Sequence, residues 1–491
     1  MVKTQTKEKG AWWTLYNRWV IKLLKEIHNQ QTILRKIDWR LLPIMFITYN
    51  FNFIDKSILS SAAVFGLEND THLVGQQYSW VSSIFYFGYL GWTYPTTIFI
   101  QKLPVGRYVS INTIIWGIIV ACTALCTNFG SLLTVRFLLG VAEATITPSF
   151  VYITSMWYTR EEIPFRTGTW FAGNSFGGFM ASLLAYVIGR IESSISLWRW
   201  LFIIFGFTTM SWGILLLFIL PSTVESSRFL NEEEKKHVLD SVARSGTGKT
   251  TRSTSAWKFE QVIECLIDPK TWFFFGISIC TQIPNSGTQN FANLVLQGLG
   301  FTSLQTTLVG IPSSFIAFFT ILITGWLAGK YHEISCYLIA LVVVAPVAGS
   351  ALIYSTKASN GVKLFAYYLL ATGPGALPLA MSLMTNNYKG VTKKMTVTAF
   401  LFLAYCTGNI AGPQTFKTLE APIYPTAFRA IMICYTLVVV EALGLRIYLS
   451  WMNKKLRMRL ADSGPPVPVM NTDGMNEDMT DWQSYDMVYW L

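Results

Sequence analysis

Arg136-Phe137-Leu138-Leu139-Gly140-Val141-Ala142-Glu143-Ala144 lies inside an apolar run, 131–153, long enough to cross a bilayer. Charges at bilayer depth are costly; they face a bundle interior or a wet cavity and usually carry function. Arg136 and Glu143 are seven residues apart, two helical turns, so both project from one face, roughly 10 Å apart along the axis. A span of this kind implies neighbouring helices with a polar interior.

The whole chain agrees. Of 491 residues, 52% are hydrophobic and only 13% charged, half the charge of an ordinary soluble domain, and the mean hydropathy is +0.40. This excludes a soluble enzyme, a disordered protein and a secreted disulfide scaffold. Apolar runs predict twelve spans, near 41–60, 78–100, 109–127, 131–153, 167–189 and 199–220, then 271–293, 305–328, 335–354, 364–386, 395–415 and 427–450. With both termini inside, the inner segments carry 29 Lys and Arg and the outer loops 4. That bias predicts cytoplasmic termini and an even number of spans. The net charge of +11 therefore reflects topology and attraction to anionic inner-leaflet lipid, with no nucleic-acid partner.

The expected organisation is a basic cytoplasmic segment over 1–40, a six-helix bundle over 41–220, a cytoplasmic loop over 221–270, a second six-helix bundle over 271–450 and a disordered cytoplasmic tail over 451–491. The aromatic-rich part of the first segment can lie on the membrane surface. Within the central loop a short helix is expected over 231–242, capped by Asn231. Asn69-Asp70-Thr71 is a glycosylation sequon in the first outer loop. Gly246-Thr247-Gly248-Lys249-Thr250 resembles the end of a phosphate loop, but its first glycine would fall on Ala243 and no buried strand precedes it, so it reads as a flexible basic loop. The seven cysteines form no C-x-x-C pair and the four histidines lie outside the spans, so neither a metal nor a cofactor is expected.

The charges left in the spans point to chemistry. Asp55 and Lys56 lie in span one, Arg136 and Glu143 in span four. Matching depths let Asp55 pair with Arg136, while Glu143 sits near the midplane, where a carboxylate can take and release a proton as its exposure changes. Asp55 and Glu143 are thus the candidate proton-coupling residues, and Lys56 and Arg136 can hold an anionic substrate. The plainer reading is an ion pair locking span one to span four. Glu441 and Arg446 in span twelve read as snorkelling groups, and Arg199 as an interfacial anchor. The second half has no Asp, Glu, Lys or Arg over 271–329. It offers amides instead: Asn285 and Asn290 in span seven, beside Pro284 and Gly287, and Asn409 in span eleven, beside Gly408 and Gly412. These suggest bent helices lining a cavity, against close packing by small residues as the plainer reading.

Arg136 to Ala144, with Pro148 and Met156-Trp157-Tyr158-Thr159-Arg160-Glu161-Glu162, resembles the span-four signature of anion:cation symporters in the major facilitator superfamily. Trp198-Arg199-Trp200-Leu201-Phe202, Ile283-Pro284-Asn285 and Gly408-Asn409-Ile410-Ala411-Gly412-Pro413-Gln414 with Ala421-Pro422 are similar to the fungal allantoate permease branch. The resemblance runs from about Asp38 to Trp451. It implies an all-α membrane protein of twelve transmembrane helices in two six-helix bundles, working by alternating access as a proton-coupled carrier of small organic anions. Such carriers move allantoate, vitamin acids or small peptides. It also implies that acids in spans one and four handle protons while the adjacent basic residues bind anions or gate, which fits Asp55, Glu143, Lys56 and Arg136. Four positions depart from the pattern. Lys56 stands where an Arg is usual, the loop Gln101-Lys102-Leu103-Pro104-Val105-Gly106-Arg107 lacks its Asp, Gly329 replaces another Asp, and Phe205 stands where many relatives carry Glu.

The reading is therefore a monomeric plasma-membrane permease, not an enzyme, whose partners are a small organic anion, protons and the lipid bilayer. A proton-linked exporter of a fungal metabolite and a non-transporting nutrient sensor are the alternatives.

Overall fold

The computed structural model describes residues 2–159, 162–244, 258–331, 333–355, 359–463, 479–483 and 487–491. The Gly246 to Thr250 motif, with Arg160 and Glu161 of the span-four signature, lies outside the described residues. Within them every regular element is helical. The first half comprises α1 (Val2–Val64), α2 (Gln77–Lys102), α3 (Val105–Thr123), α4 (Phe129–Glu143) with α5 (Ile146–Trp157), α6 (Ile163–Phe171) with α7 (Gly173–Ile188), and α8 (Leu197–Ile219). Then come α9 (Glu232–Arg244) and α10 (Phe259–Ile267). The second half comprises α11 (Pro269–Gly298), α12 (Ser303–Val309) with α13 (Ile311–Lys330), α14 (Ser335–Tyr354), α15 (Asn360–Leu370) with α16 (Ala376–Asn387), α17 (Val391–Gln414) and α18 (Pro425–Ser463).

Local sequence sets these boundaries. Asn128 caps α4, accepting from the Ser131 N–H at 2.9 Å, and the Ser131 hydroxyl faces back to complete a capping box. Pro148 has no N–H to offer the carbonyl of residue 144, and the helix breaks just there, after Glu143. Asp268 caps α11, with Pro269 in the first turn. Near Pro284, where a broken or bent helix is expected, α11 runs on without a break to Gly298. The spans interrupted in this half are eight, at Gly310, and ten, at a 3-10 turn over Gly373–Gly375. The helix expected after Asn231 is α9. Span one is continuous with the segment before it, as one helix from Val2.

The two halves repeat one packing scheme. In the first, α3 packs on α8, α2 on α4, and α1 on α7 and α8; in the second, α14 packs on α18, α13 on α15 and α16, and α11 on α17 and α18. The bundles meet through α1 with α11, α2 with α17 and α7 with α13, contacts that exchange under the same two-fold relation. Among the described residues nine of the twelve spans are long and apolar enough to cross a membrane by composition alone. The other three are carried by α1, α2 and α11, which meet between the bundles and carry its polar groups. The protein is an integral membrane protein of two six-helix bundles.

The hydrogen bonds joining the bundles sit on the side away from the chain ends. Tyr78 Oη donates to the Asn290 carbonyl at 2.9 Å, the Asn293 N–H and side-chain amide donate to Ser60 and Ser61 Oγ at 3.0 Å each, and Gln414 donates to Ser83 Oγ at 3.1 Å. Thr418 reaches the Gly75 carbonyl at 2.6 Å. The space between the bundles is thus shut on that far side. The tail departs from its expected disorder: α18 continues to Ser463, and residues 479–483 and 487–491 lie against the second bundle. All seven cysteines are free.

Close crossings fix α2 against α4. A Cβ on Gly140 would lie 1.9 Å from the Phe85 carbonyl oxygen, and one on Gly88 2.2 Å from that of Phe137. Both contacts are to backbone, so nothing flexible can yield. Gly140→Val should therefore cost about 3 kcal/mol through overpacking, read as a lowered thermal unfolding midpoint of the detergent-solubilised protein. An unchanged midpoint would mean that the two helices cross farther apart than this.

Candidate functional site

A cavity of about 290 Å³ lies between the bundles, near the lower bound for small-molecule sites. Among the described residues Lys56 is its single charged lining residue, set among hydroxyls and amides of both halves. Asn52 and Lys56 are four residues apart on α1 and share a face. Lys56 Nζ donates to Asn52 Oδ1 at 2.9 Å and lies 3.1 Å from Glu143 Oε2, and Asn52 Nδ2 donates to the same Glu143 oxygen at 2.8 Å. Glu143 is fully buried, whereas the Lys56 side chain keeps 18% of its surface. The Phe85 and Tyr89 ring centroids, 5.4 and 5.6 Å from Nζ, add cation–π contact. The second Glu143 oxygen has no hydrogen bond.

The expected pair between Asp55 and Arg136 does not form. Adjacent residues on a helix point about 100° apart; with Lys56 turned to Glu143 and the cavity, Asp55 turns towards α3. It is 1% exposed, and its nearest donor is the Trp116 indole N–H. Arg136 is 3% exposed, with Nε and one terminal nitrogen unpaired and its guanidinium carbon 5.5 Å from the Phe202 ring centroid. It does not line the cavity. The ion pair joining span one to span four is that of Lys56 with Glu143.

In α11 the cavity face reads Gln282, Asn285, Thr288, Gln289, Ala292 and Asn293, steps of three, four and seven along one stripe. Asn290 falls on another stripe and turns back to donate to the Ser286 carbonyl at 2.8 Å. Asn409 also stands behind the wall, donating to Gln282 Oε1 at 3.2 Å and to the Tyr405 carbonyl at 2.7 Å. Asn285 donates to the same Gln282 oxygen at 3.3 Å, which leaves the Gln282 NH₂ for a ligand. Gln289 Nε2 is buried with no partner. The cavity thus brings together Lys56 and Asn285 from the sequence reading and leaves Arg136, Asn290 and Asn409 outside its lining. It adds Gln282, Gln289 and Asn174 to the wall and Asn52 behind Lys56. Helical spacing from Lys56 and from Asn285 was the signal for Asn52, Gln282 and Gln289; Asn174, in α7, carried none. Glu441 makes no ion pair with Arg446, whose guanidinium instead reaches the Glu333 carbonyl and stacks 4.0 Å from the Tyr337 ring centroid. Among the described residues no cluster of His, Cys, Asp or Glu could hold a metal.

The sequence profile of the Major Facilitator Superfamily matches residues 45–413. An uncharacterized transporter of Schizosaccharomyces pombe is 33% identical over 94% of this chain and 90% of its own length. The allantoate permease of Saccharomyces cerevisiae is 32% identical over 93% of this chain and 86% of its own. Among solved structures, that of a D-xylose-proton symporter superposes with a TM-score of 0.63 at 13% identity, covering 83% of this chain and 97% of that one.

Removing one partner of a buried ion pair strands the other. Lys56→Met should lower stability by about 2–3 kcal/mol, the lower part of the usual cost because Lys56 touches the cavity. Adding Glu143→Leu should recover most of that loss. A double-mutant cycle of thermal unfolding measures the coupling, and additive effects would show that the contact contributes nothing.

Proposed function

Because the chain belongs to the Major Facilitator Superfamily and is a membrane transporter by family and fold, we propose that it takes up a small organic anion together with a proton. In this reading it works as a monomer in the plasma membrane with both termini in the cytoplasm, so the cavity, shut on the far side, faces the cell interior. The observation that carries the proposal is the cavity's lone cation, which is already held by a fully buried carboxylate.

A carboxylate entering a site between two membrane bundles loses solvation worth several kcal/mol and needs a cation. Among the described residues the second bundle offers none at the cavity, where its lining residues are all uncharged, and Arg136 lies off the cavity. Lys56 meets the anion, and Gln289 Nε2 and Asn285 read its neutral polar end. When the ammonium turns to the substrate, Glu143 keeps only the Asn52 amide. A charged, buried carboxylate with one neutral donor is strongly disfavoured, so Glu143 takes a proton. Anion and proton then bind as a pair, and release of the proton draws Lys56 back and expels the anion. Asp55, buried on α1 one residue before Lys56, is the second proton site of this proposal.

A substrate screen by radiolabel uptake, seeded with allantoate because a relative carries that name, identifies the anion. In proteoliposomes, Glu143→Gln should abolish uptake driven by an imposed pH gradient while leaving exchange of labelled for unlabelled substrate. Concentrative uptake at the normal rate would remove Glu143 from proton coupling. The direction of flux under that gradient separates importer from exporter, and a protein that moves no label is a sensor.

Charge recognition has its own test. Lys56→Gln should weaken binding of the anion by about ten- to a hundredfold, the worth of a charge-assisted hydrogen bond, and leave its uncharged amide analogue nearly unaffected. Gln289→Leu should weaken both alike. Equal losses of acid and amide on Lys56→Gln would show that Lys56 does not meet the carboxylate.

A further inference from the structure

The second bundle carries a group of buried charges that the transport reading does not use. Lys270 at the start of α11 and Lys393 in the first turn of α17 are 1% and 0% exposed. Lys393 Nζ lies 2.8 Å from Glu264, 3.0 Å from Asp268 and 2.9 Å from Asp481. Lys270 lies 3.2 Å from Asp268 and bonds Asp481 directly. Asp481, 3% exposed, is thus held between two ammonium groups and also accepts from Tyr489 Oη at 3.1 Å. Burial alone would raise its pKa; the two lysines more than offset that and hold it below the ordinary carboxylate value, so it stays charged at neutral pH.

The residues that follow continue the contact through backbone. The Tyr489 N–H donates to Asn453 Oδ1 at 2.9 Å, and Asn453 Nδ2 donates to the Tyr489 carbonyl at 2.8 Å. Asn387 makes the same reciprocal pair with Trp490, at 2.8 and 2.9 Å. The Ser335 N–H donates to the Leu491 carbonyl at 2.8 Å. One short segment therefore touches one end of α11, α14, α16, α17 and α18. It buries charge and hydrogen-bonding groups together with the Tyr489 ring and parts of Trp490 and Leu491, while Met479, Trp482 and Val488 remain 40%, 42% and 59% exposed. Water can replace the polar share of these contacts when the segment lifts.

We propose that this end of the second bundle is a docking surface for the chain's own residues 479–483 and 487–491, and that docking and release of these residues set how fast the two bundles rearrange. It rests on the alternating-access reading above. Closing the cavity on the side of the chain ends requires the ends of α16 and α17 to approach the first bundle. While docked, the segment ties those ends to α11, α14 and α18, so they move together or not at all. Undocking frees them singly.

Hydrogen exchange of the full-length protein in lipid nanodiscs tests this without a substrate or a proton gradient, so its failure is separate from failure of the transport proposal. In the native chain, peptides covering 487–491 and Ser335 should be protected. Asp481→Asn should raise their exchange about tenfold or more. The far-side peptides covering Ser60, Ser61 and Asn293, whose hydrogen bonds join the bundles, should rise with them. Unprotected tail amides in the native chain would overturn the docking. Tail release with unchanged far-side exchange would overturn the control of rearrangement. If Asp481→Asn does not fold, Asn453→Ala removes both Tyr489 bonds without touching a charge and is judged by the same readout; a folded variant of either kind whose tail stays protected also overturns the proposal.

Discussion

A carboxylate buried among membrane helices needs a cation within reach, and the contact between Glu143 and Lys56 meets that need here. Much else follows from it. The contact ties α1 to α4 and turns Lys56 to the cavity wall, which by the pitch of the helix turns Asp55 away towards α3. The tight crossing of α2 and α4 at Gly140 brings the Phe85 and Tyr89 rings over the same ammonium. Asn52 closes the triangle, giving each member a second bond. The cavity's one charge is therefore neither fully committed nor free.

The two halves share a packing scheme and differ in chemistry. A second ionised group at the cavity would add desolvation cost without adding recognition, and there the second half presents amides instead. Amides suit a moving wall. Gln282 accepts from Asn285 and Asn409 at once, at 3.3 and 3.2 Å, and such bonds exchange partners at small cost. In the proposed transport cycle the first half would hold the anion and proton, and the amide wall would adjust to the rest of the substrate as it moves.

The fold was legible because hydropathy and the placement of Lys and Arg are one-dimensional signals. Spans one, two and seven, the three that composition alone does not mark as crossing a membrane, are among the six that line the bundle interface. The site was legible in part. Depth along a helix is readable from sequence, and it brought Glu143 and span one together. Rotation about the helix is readable only once a fixed point is known, and without one Asp55 was matched to Arg136. The amides show the same limit: Asn285 and Asn290 look equivalent in the run from Pro284 to Asn290, yet five residues are 500° of turn, and only one of them meets the cavity. The tail's composition is that of a disordered segment, while the contacts of its described residues, such as Asp481 with Lys270 and Lys393, join positions far apart in sequence, which no local signal carries.

Lys56 itself bears on mechanism, because the carriers this chain resembles usually place Arg there. A guanidinium binds a carboxylate through two parallel bonds in a fixed plane, whereas an ammonium is a point charge with three donors that rotate. One ammonium donor is given to Asn52, another to Glu143, and the third is left towards the cavity. A carboxylate arriving from solvent can thus be engaged before Glu143 is released, so the exchange passes through a shared state instead of an unpaired one. An Arg held in bidentate contact with Glu143 would have to break two bonds before offering as much to a substrate. Under the proposed mechanism, the lysine at this position would lower the barrier to that exchange at the expense of planar discrimination, which would then fall to the amides of the opposite wall.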